Sequence, residues 1–177
     1  MGVVMSFRGR SEGELSEFLE RAVILRKVVF DNGIDVSIDI STIERIFEGK
    51  ISNVLINSKL IAKDFFLCGI YISKMLLYFI YYCPQSWYAI DYIEMAQKNK
   101  NPFYLKCGAD MCFLLCSLFE ERTNRKKRAI SKKTYIEIGG RLYYMFFSET
   151  ESDIGCYMSK NFEIMTDVTK EAVEDVI

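Results

Sequence analysis

A chain of 177 residues, half of them hydrophobic and 27% charged, is long enough to bury about 70% of the surface its unfolded form exposes, and too apolar to stay disordered. A formal net charge of −1 supplies no global attraction to nucleic acid or anionic lipid. The absence of histidine excludes Ser-His-Asp and Cys-His nucleophiles, His-liganded zinc or haem, and the Glu-x-x-His di-iron sites of helical bundles.

Two prolines and ten glycines are few chain breakers, which suits long helices better than a turn-rich β-sandwich. Residues 1–10 are expected to be flexible. Arg8, Arg10, Glu12, Glu14 and Glu17 interrupt any apolar run before a secretory signal forms, so a cytoplasmic protein is expected. The six cysteines, at 68, 83, 107, 112, 116 and 156, fall in apolar stretches without a compact framework spacing, and read as small, reduced core side chains.

Ser11-Glu12-Gly13-Glu14 has the form of a capping box, and Leu15, Phe18, Leu19, Ala22, Leu25 and Val29 recur at helical spacing. This predicts a helix over about 12–31. Residues 34–40 alternate apolar and polar with period two and predict one short extended segment. A second capping box, Ser41-Thr42-Ile43-Glu44, opens a short helix through Phe47 that Gly49 is expected to close. A long apolar segment follows from about Ile51 to Cys83, ended by Pro84. Within it, 65–83 carries the single charge Lys74 and is long enough to cross a bilayer. A central lysine costs about 3 kcal/mol on insertion and tyrosine gains little in hydrocarbon, so this stretch is read as a central core helix surrounded by the others.

A shorter helix over about 85–98 carries Trp87, Tyr88 and Tyr92. Asn101-Pro102 predicts the start of a helix over about 103–120, with Phe103, Cys107, Met111, Leu114, Leu115 and Leu118 on its inner face. A basic connector spans 122–133, its 122–131 part read as an inter-helix loop. Ser131 caps a helix over about 132–148. Ser152 caps a last one with an apolar stripe of Ile154, Tyr157, Met158, Phe162, Met165, Val168, Ala172 and Val176. The expected fold is all-α: a single domain over 1–177, a multi-helix bundle of about six to seven helices.

Four constellations invite chemistry. Cys112 and Cys116 share a helical face, but structural zinc needs four ligands, and core packing is the simpler reading. Gly139-Gly140 interrupts a good helix, either for a close helix crossing or for a ligand gap with Arg141 as an anion contact. Asp91, Glu94, Asp110 and Glu137 lie in largely apolar helices, where Lys74, Lys106 and Arg141 are available for ion pairs. Aromatic residues crowd two stretches and imply either an interface or an aromatic-lined cavity. No metal, cofactor or catalytic motif is recognisable. The leading expectation is therefore a non-enzymatic interaction module that forms a homodimer or docks a protein partner. A small-molecule-binding bundle is the first alternative. For either, Trp87, Tyr88, Tyr92, Arg141, Tyr143, Tyr144 and Phe147 are the candidate interface or cavity-lining residues. The second alternative, binding of nucleic acid or another polyanion, is not favoured and would use Arg122, Arg125, Lys126, Lys127 and Arg128.

Overall fold

The computed structural model describes residues 40–81, 84–119 and 131–174. These form six helices and no strand: α1 (Ile40–Asn57), α2 (Lys63–Tyr81), α3 (Ala89–Asn99), α4 (Phe103–Ser117), α5 (Lys132–Thr150) and α6 (Asp153–Glu174). The all-α bundle expected from the scarcity of breakers is what the described chain builds. The helix predicted over 12–31, residues 34–39 of the extended segment, and the basic residues from Arg122 to Arg128 lie outside the described residues. Ile40 belongs to α1 rather than to an extended segment. Lys132 and Lys133 belong to the first turn of α5 rather than to the connector.

Helix α6 packs against α1, α2, α4 and α5, while α4 packs against α3, α5 and α6. One continuous core runs through all six helices, with Leu55, Ile72, Leu76, Phe113, Leu115, Tyr143, Met158 and Met165 among its fully enclosed members. The stripe expected on the last helix faces inward at Met158, Phe162, Met165, Val168 and Ala172, at the i, i+3, i+4 spacing that turns one helical face to a core. No helix among the described residues is long and apolar enough to cross a membrane.

The chain departs from the expected boundaries where an uncommon residue takes a left-handed conformation. Gly49 does not close the second helix: it is exposed with open space around it, and α1 continues because Ile51, Val54 and Leu55 bury the next turns. The helix stops instead at Lys59, with φ 59°. There the Lys59 N–H donates to the Ile56 carbonyl (3.0 Å) and the Leu60 N–H to the Leu55 carbonyl (2.8 Å). This is the bond pair of a Schellman cap, and partly buried Leu60 packs on the core beyond it. The segment expected to run from Ile51 to Cys83 is thereby folded into two helices.

Helix α2 is not the surrounded one. Ile70, Lys74 and Tyr78 are exposed along it, and it packs mainly on α1 and α6. The enclosed helix is α4, buried at Leu105, Gly108, Ala109 and every position from Met111 to Ser117. It therefore has no single inner face, and Phe103, expected on one, stands 52% exposed.

The predicted caps of α4 and α5 do form. Asn101 Oδ1 accepts the Phe103 N–H at 3.0 Å, and Ser131 Oγ accepts the Thr134 N–H at 3.3 Å, each satisfying an otherwise unpaired first-turn donor. The two glycines at the middle of α5 separate by environment. A Cβ on Gly139 would meet the Phe162 ring at 2.3 Å and Cys112 Cβ at 2.9 Å, whereas one on Gly140 finds only the Ser159 carbonyl at 3.6 Å. Gly139 is thus the contact point at which α4, α5 and α6 converge.

Candidate functional site

Asp110 stands at the meeting point of α2, α4 and α5. Its Oδ1 accepts hydrogen bonds from the hydroxyls of Tyr71 and Tyr143, each at 2.5 Å. Its Oδ2 accepts from Lys106 Nζ at 2.9 Å, one helical turn earlier on the same face. The carboxylate side chain is 15% exposed and the lysine side chain 21%. The Lys106 ammonium lies 5.0 Å from the centre of the Tyr71 ring and 5.2 Å from that of Phe103, within the range of cation–π attraction. Burial, followed by the adjacent Asp110 charge, pushes both phenols well above the ordinary tyrosine range. They therefore act at neutral pH as fixed donors to the carboxylate.

Asp110 also lines a cavity of about 230 Å³ between α2, α3 and α4. Met75, Tyr78 and Phe79 form its α2 wall, Tyr92 its α3 wall, and Phe103, Tyr104, Cys107, Met111 and Leu114 its α4 wall. Pro84, Gln85 and Asn101 complete it. The α4 contribution at 103, 107, 110, 111 and 114 is the i, i+3, i+4, i+7 spacing of a single helical face. Burial first and then the Asp110 charge raise the Cys107 thiol to about 11, so it borders the cavity as a neutral group rather than a nucleophile.

The rim is held by a corner between α2 and α3. Tyr92 hydroxyl donates to the Ser86 carbonyl (3.1 Å) and accepts the Ser86 N–H (3.2 Å). Ser86 Oγ donates to Asp91 and accepts the Tyr88 N–H at 3.0 Å. Trp87 closes an edge-to-face cluster with Phe79 and Phe119, centroids 5.7 to 6.2 Å apart.

The structure distributes the residues singled out in the sequence. Trp87, Tyr92 and Tyr143 are buried: Tyr92 lines the cavity, Tyr143 supports Asp110 from behind, and Trp87 belongs to the aromatic cluster. Tyr88 is 61% exposed and Tyr144 60%, with the Tyr144 ring 6.3 Å from the partly buried Phe147. Arg141 lies on an open groove between α5 and α6, beside Gly140 and Lys160. Glu137 and Glu163 share that groove, so its two bases face two acids and it offers no net attraction to an anion. Cys112 and Cys116 are both buried core side chains, and no cluster able to hold a metal ion occurs among the described residues.

The sequence offered Lys74, Lys106 and Arg141 as partners for the acids of these helices without choosing among them, and the structure pairs Asp110 with Lys106. The two tyrosines were not legible, since Tyr71 and Tyr143 reach Asp110 from 39 and 33 residues away. Nor did Met75, Phe103 or Tyr104 carry any signal separating a cavity wall from ordinary core. No family model, curated protein or solved structure matches this chain, so the reading of the site rests on its geometry.

Proposed function

We propose that this chain is a small-molecule-binding helical domain whose α2–α3–α4 cavity takes a compact apolar or aromatic ligand. The observation that carries this reading is a cavity of about 230 Å³ with predominantly apolar and aromatic walls and a hydrogen-bonded carboxylate at one side. Few, well-placed polar groups among apolar walls are what a ligand site requires. A dry cavity of about 150 Å³ accepts benzene, so this one has room for about two fused rings. The test is a thermal melt with 1-naphthalenemethanol. At 100 times its Kd a ligand stabilises the fold by about 2.7 kcal/mol, a shift of about 6–10 °C for a chain of this size. A Cys107→Trp variant, which fills the cavity from α4, should keep its helical circular dichroism and lose the shift. No shift in the native chain at millimolar probe would overturn the proposal.

A second reading, association with a second copy or a protein partner, is favoured by one specific feature. Tyr144 and Met145 stand 60% and 45% exposed, next to each other on α5, and an exposed tyrosine suits an interface. Sedimentation at micromolar concentration tests it: a monomer counts against self-association. The cavity reading is preferred because three of the six aromatic candidates, Trp87, Tyr92 and Tyr143, are inside the molecule, and Tyr92 lines the cavity.

A further inference from the structure

We infer that the cavity selects its occupant by charge, and that the ligand class is a protonated aromatic amine. This rests on the cavity being a ligand site, as proposed above, and specifies what enters it. The charged group on the cavity wall is Asp110, an acceptor with about four lone-pair positions when ionised. Three are filled: two by the hydroxyls of Tyr71 and Tyr143, one by Lys106. About one remains for a donor arriving from the cavity side.

The donors already present do not compete for that position. Both phenol protons are directed at Oδ1, and Lys106, which holds Oδ2, is not among the cavity-lining residues. The other walls reinforce the preference. Tyr78, Phe79, Tyr92, Phe103 and Tyr104 border the space, and aromatic faces attract cations and repel anions through the ring quadrupole. A cation entering here meets aromatic rings and a carboxylate, whereas an anion meets the same rings and a like charge. Lys106 moderates the selection, because its ammonium offsets part of the Asp110 charge. Its position between the Tyr71 and Phe103 rings holds it there without any contribution from a ligand.

The experiment uses the full chain and three probes that share one ring system. These are 1-naphthylmethylamine, an ammonium at pH 7, with neutral 1-naphthalenemethanol and anionic 1-naphthoate, each titrated by calorimetry. The expected order is ammonium tightest by about tenfold over the alcohol, with naphthoate weakest. Asp110→Asn should bring the ammonium and the alcohol to within about twofold. Lys106→Met, which leaves the carboxylate uncompensated, should tighten the ammonium further and weaken naphthoate. Circular dichroism checks that each variant is folded; should Asp110→Asn unfold, the native probe order and Lys106→Met still decide the matter. An alcohol that binds as tightly as the ammonium, or a naphthoate that binds tightest, would overturn the charge selection while leaving the cavity a ligand site. Failure of all three probes would overturn both.

Discussion

On one side of α4, the space against α5 and α6 is so fully used that a methyl group on Gly139 would sit 2.3 Å from the Phe162 ring and 2.9 Å from Cys112 Cβ. On the other side, the same helix presents Cys107, Asp110, Met111 and Leu114 to a cavity of about 230 Å³. The closed face is held by shape: rings at Phe113 and Phe162, centroids 5.5 Å apart, and a glycine that admits them. The open face is held by polar bonds, with three donors converging on one carboxylate. Asp110 ties α2 and α5 to α4 at the border of the cavity without filling the space beside it.

The largest effect should therefore come from removing that fastening. Asp110→Ala leaves the phenols of Tyr71 and Tyr143 and the Lys106 ammonium without their acceptor. A buried donor left unmade costs about 1–3 kcal/mol, and breaking a well-buried ion pair about 3–5 kcal/mol. Since Lys106 and Asp110 retain 21% and 15% side-chain exposure, a total loss of about 3 kcal/mol in urea unfolding is expected. Asp110→Asn keeps an acceptor for the phenols and should lose less than half of that. Equal losses for the two variants would show that the hydroxyl bonds contribute nothing.

The closed face should respond next. Gly139→Ala places a Cβ inside contact distance of a ring that is itself only 3% exposed. Overpacking of this kind costs about 1–3 kcal/mol, and about 2 kcal/mol is expected, read as a lower urea midpoint. Phe162→Leu in the same chain should recover part of it by removing the ring atoms that clash. An unchanged Gly139→Ala protein would mean that α5 and α6 are not in the contact described.

How much of this contrast was legible in the sequence follows from its chemistry. Helix starts with a side-chain acceptor, Asn101 and Ser131, were readable because Asn and Ser favour that position for a stated reason. The stop at Lys59 was not, because lysine takes a left-handed position usually given to glycine, while Gly49, which looked like a stop, lies within α1. The pattern on α4 was misread for a related reason. A helix that is apolar all round has no preferred face, and Met111 or Leu114 beside a cavity cannot be told from Leu115 in the core. Asp110 and Lys106 were legible only as members of a set of acids and bases available to one another, and the two tyrosines of that cluster depend on how α2 and α5 fold back.

The polar fastening also has a pH signature. Tyr71 and Tyr143 are raised well above the ordinary tyrosine value of about 10 by burial and by Asp110. A phenol whose folded-state value is raised contributes stability that is fully present below the unfolded value. That contribution is lost as pH rises from about 10 toward the folded value, because the unfolded chain releases the proton first. Stability should thus show no loss from these phenols between pH 7 and 9, then fall by up to about 1.4 kcal/mol per pH unit for each of them. Absorbance at 295 nm should show Tyr71 and Tyr143 ionising only with unfolding. A Tyr71→Phe, Tyr143→Phe double variant should remove these two groups' share of the alkaline slope; an unchanged slope would assign it elsewhere.

The smallest effect is the sharpest test of how local the closed face is. Gly140 follows Gly139 directly, yet it borders the open α5–α6 groove, and its nearest foreign atom is the Ser159 carbonyl at 3.6 Å. That is ordinary contact distance for a methyl group. Alanine there removes the backbone freedom that glycine brings to the unfolded chain and improves helix propensity, each without a steric cost. Gly140→Ala should therefore stabilise the protein by about 0.5–1 kcal/mol, a rise of about 1–4 °C in Tm. The substitution one residue earlier should lower it. Opposite signs at adjacent positions on one helix follow only if Gly139 faces the α4–α6 crossing and Gly140 faces the groove. A destabilising Gly140→Ala would mean that the groove is narrower than described and that the tight packing extends across it to Arg141 and Lys160.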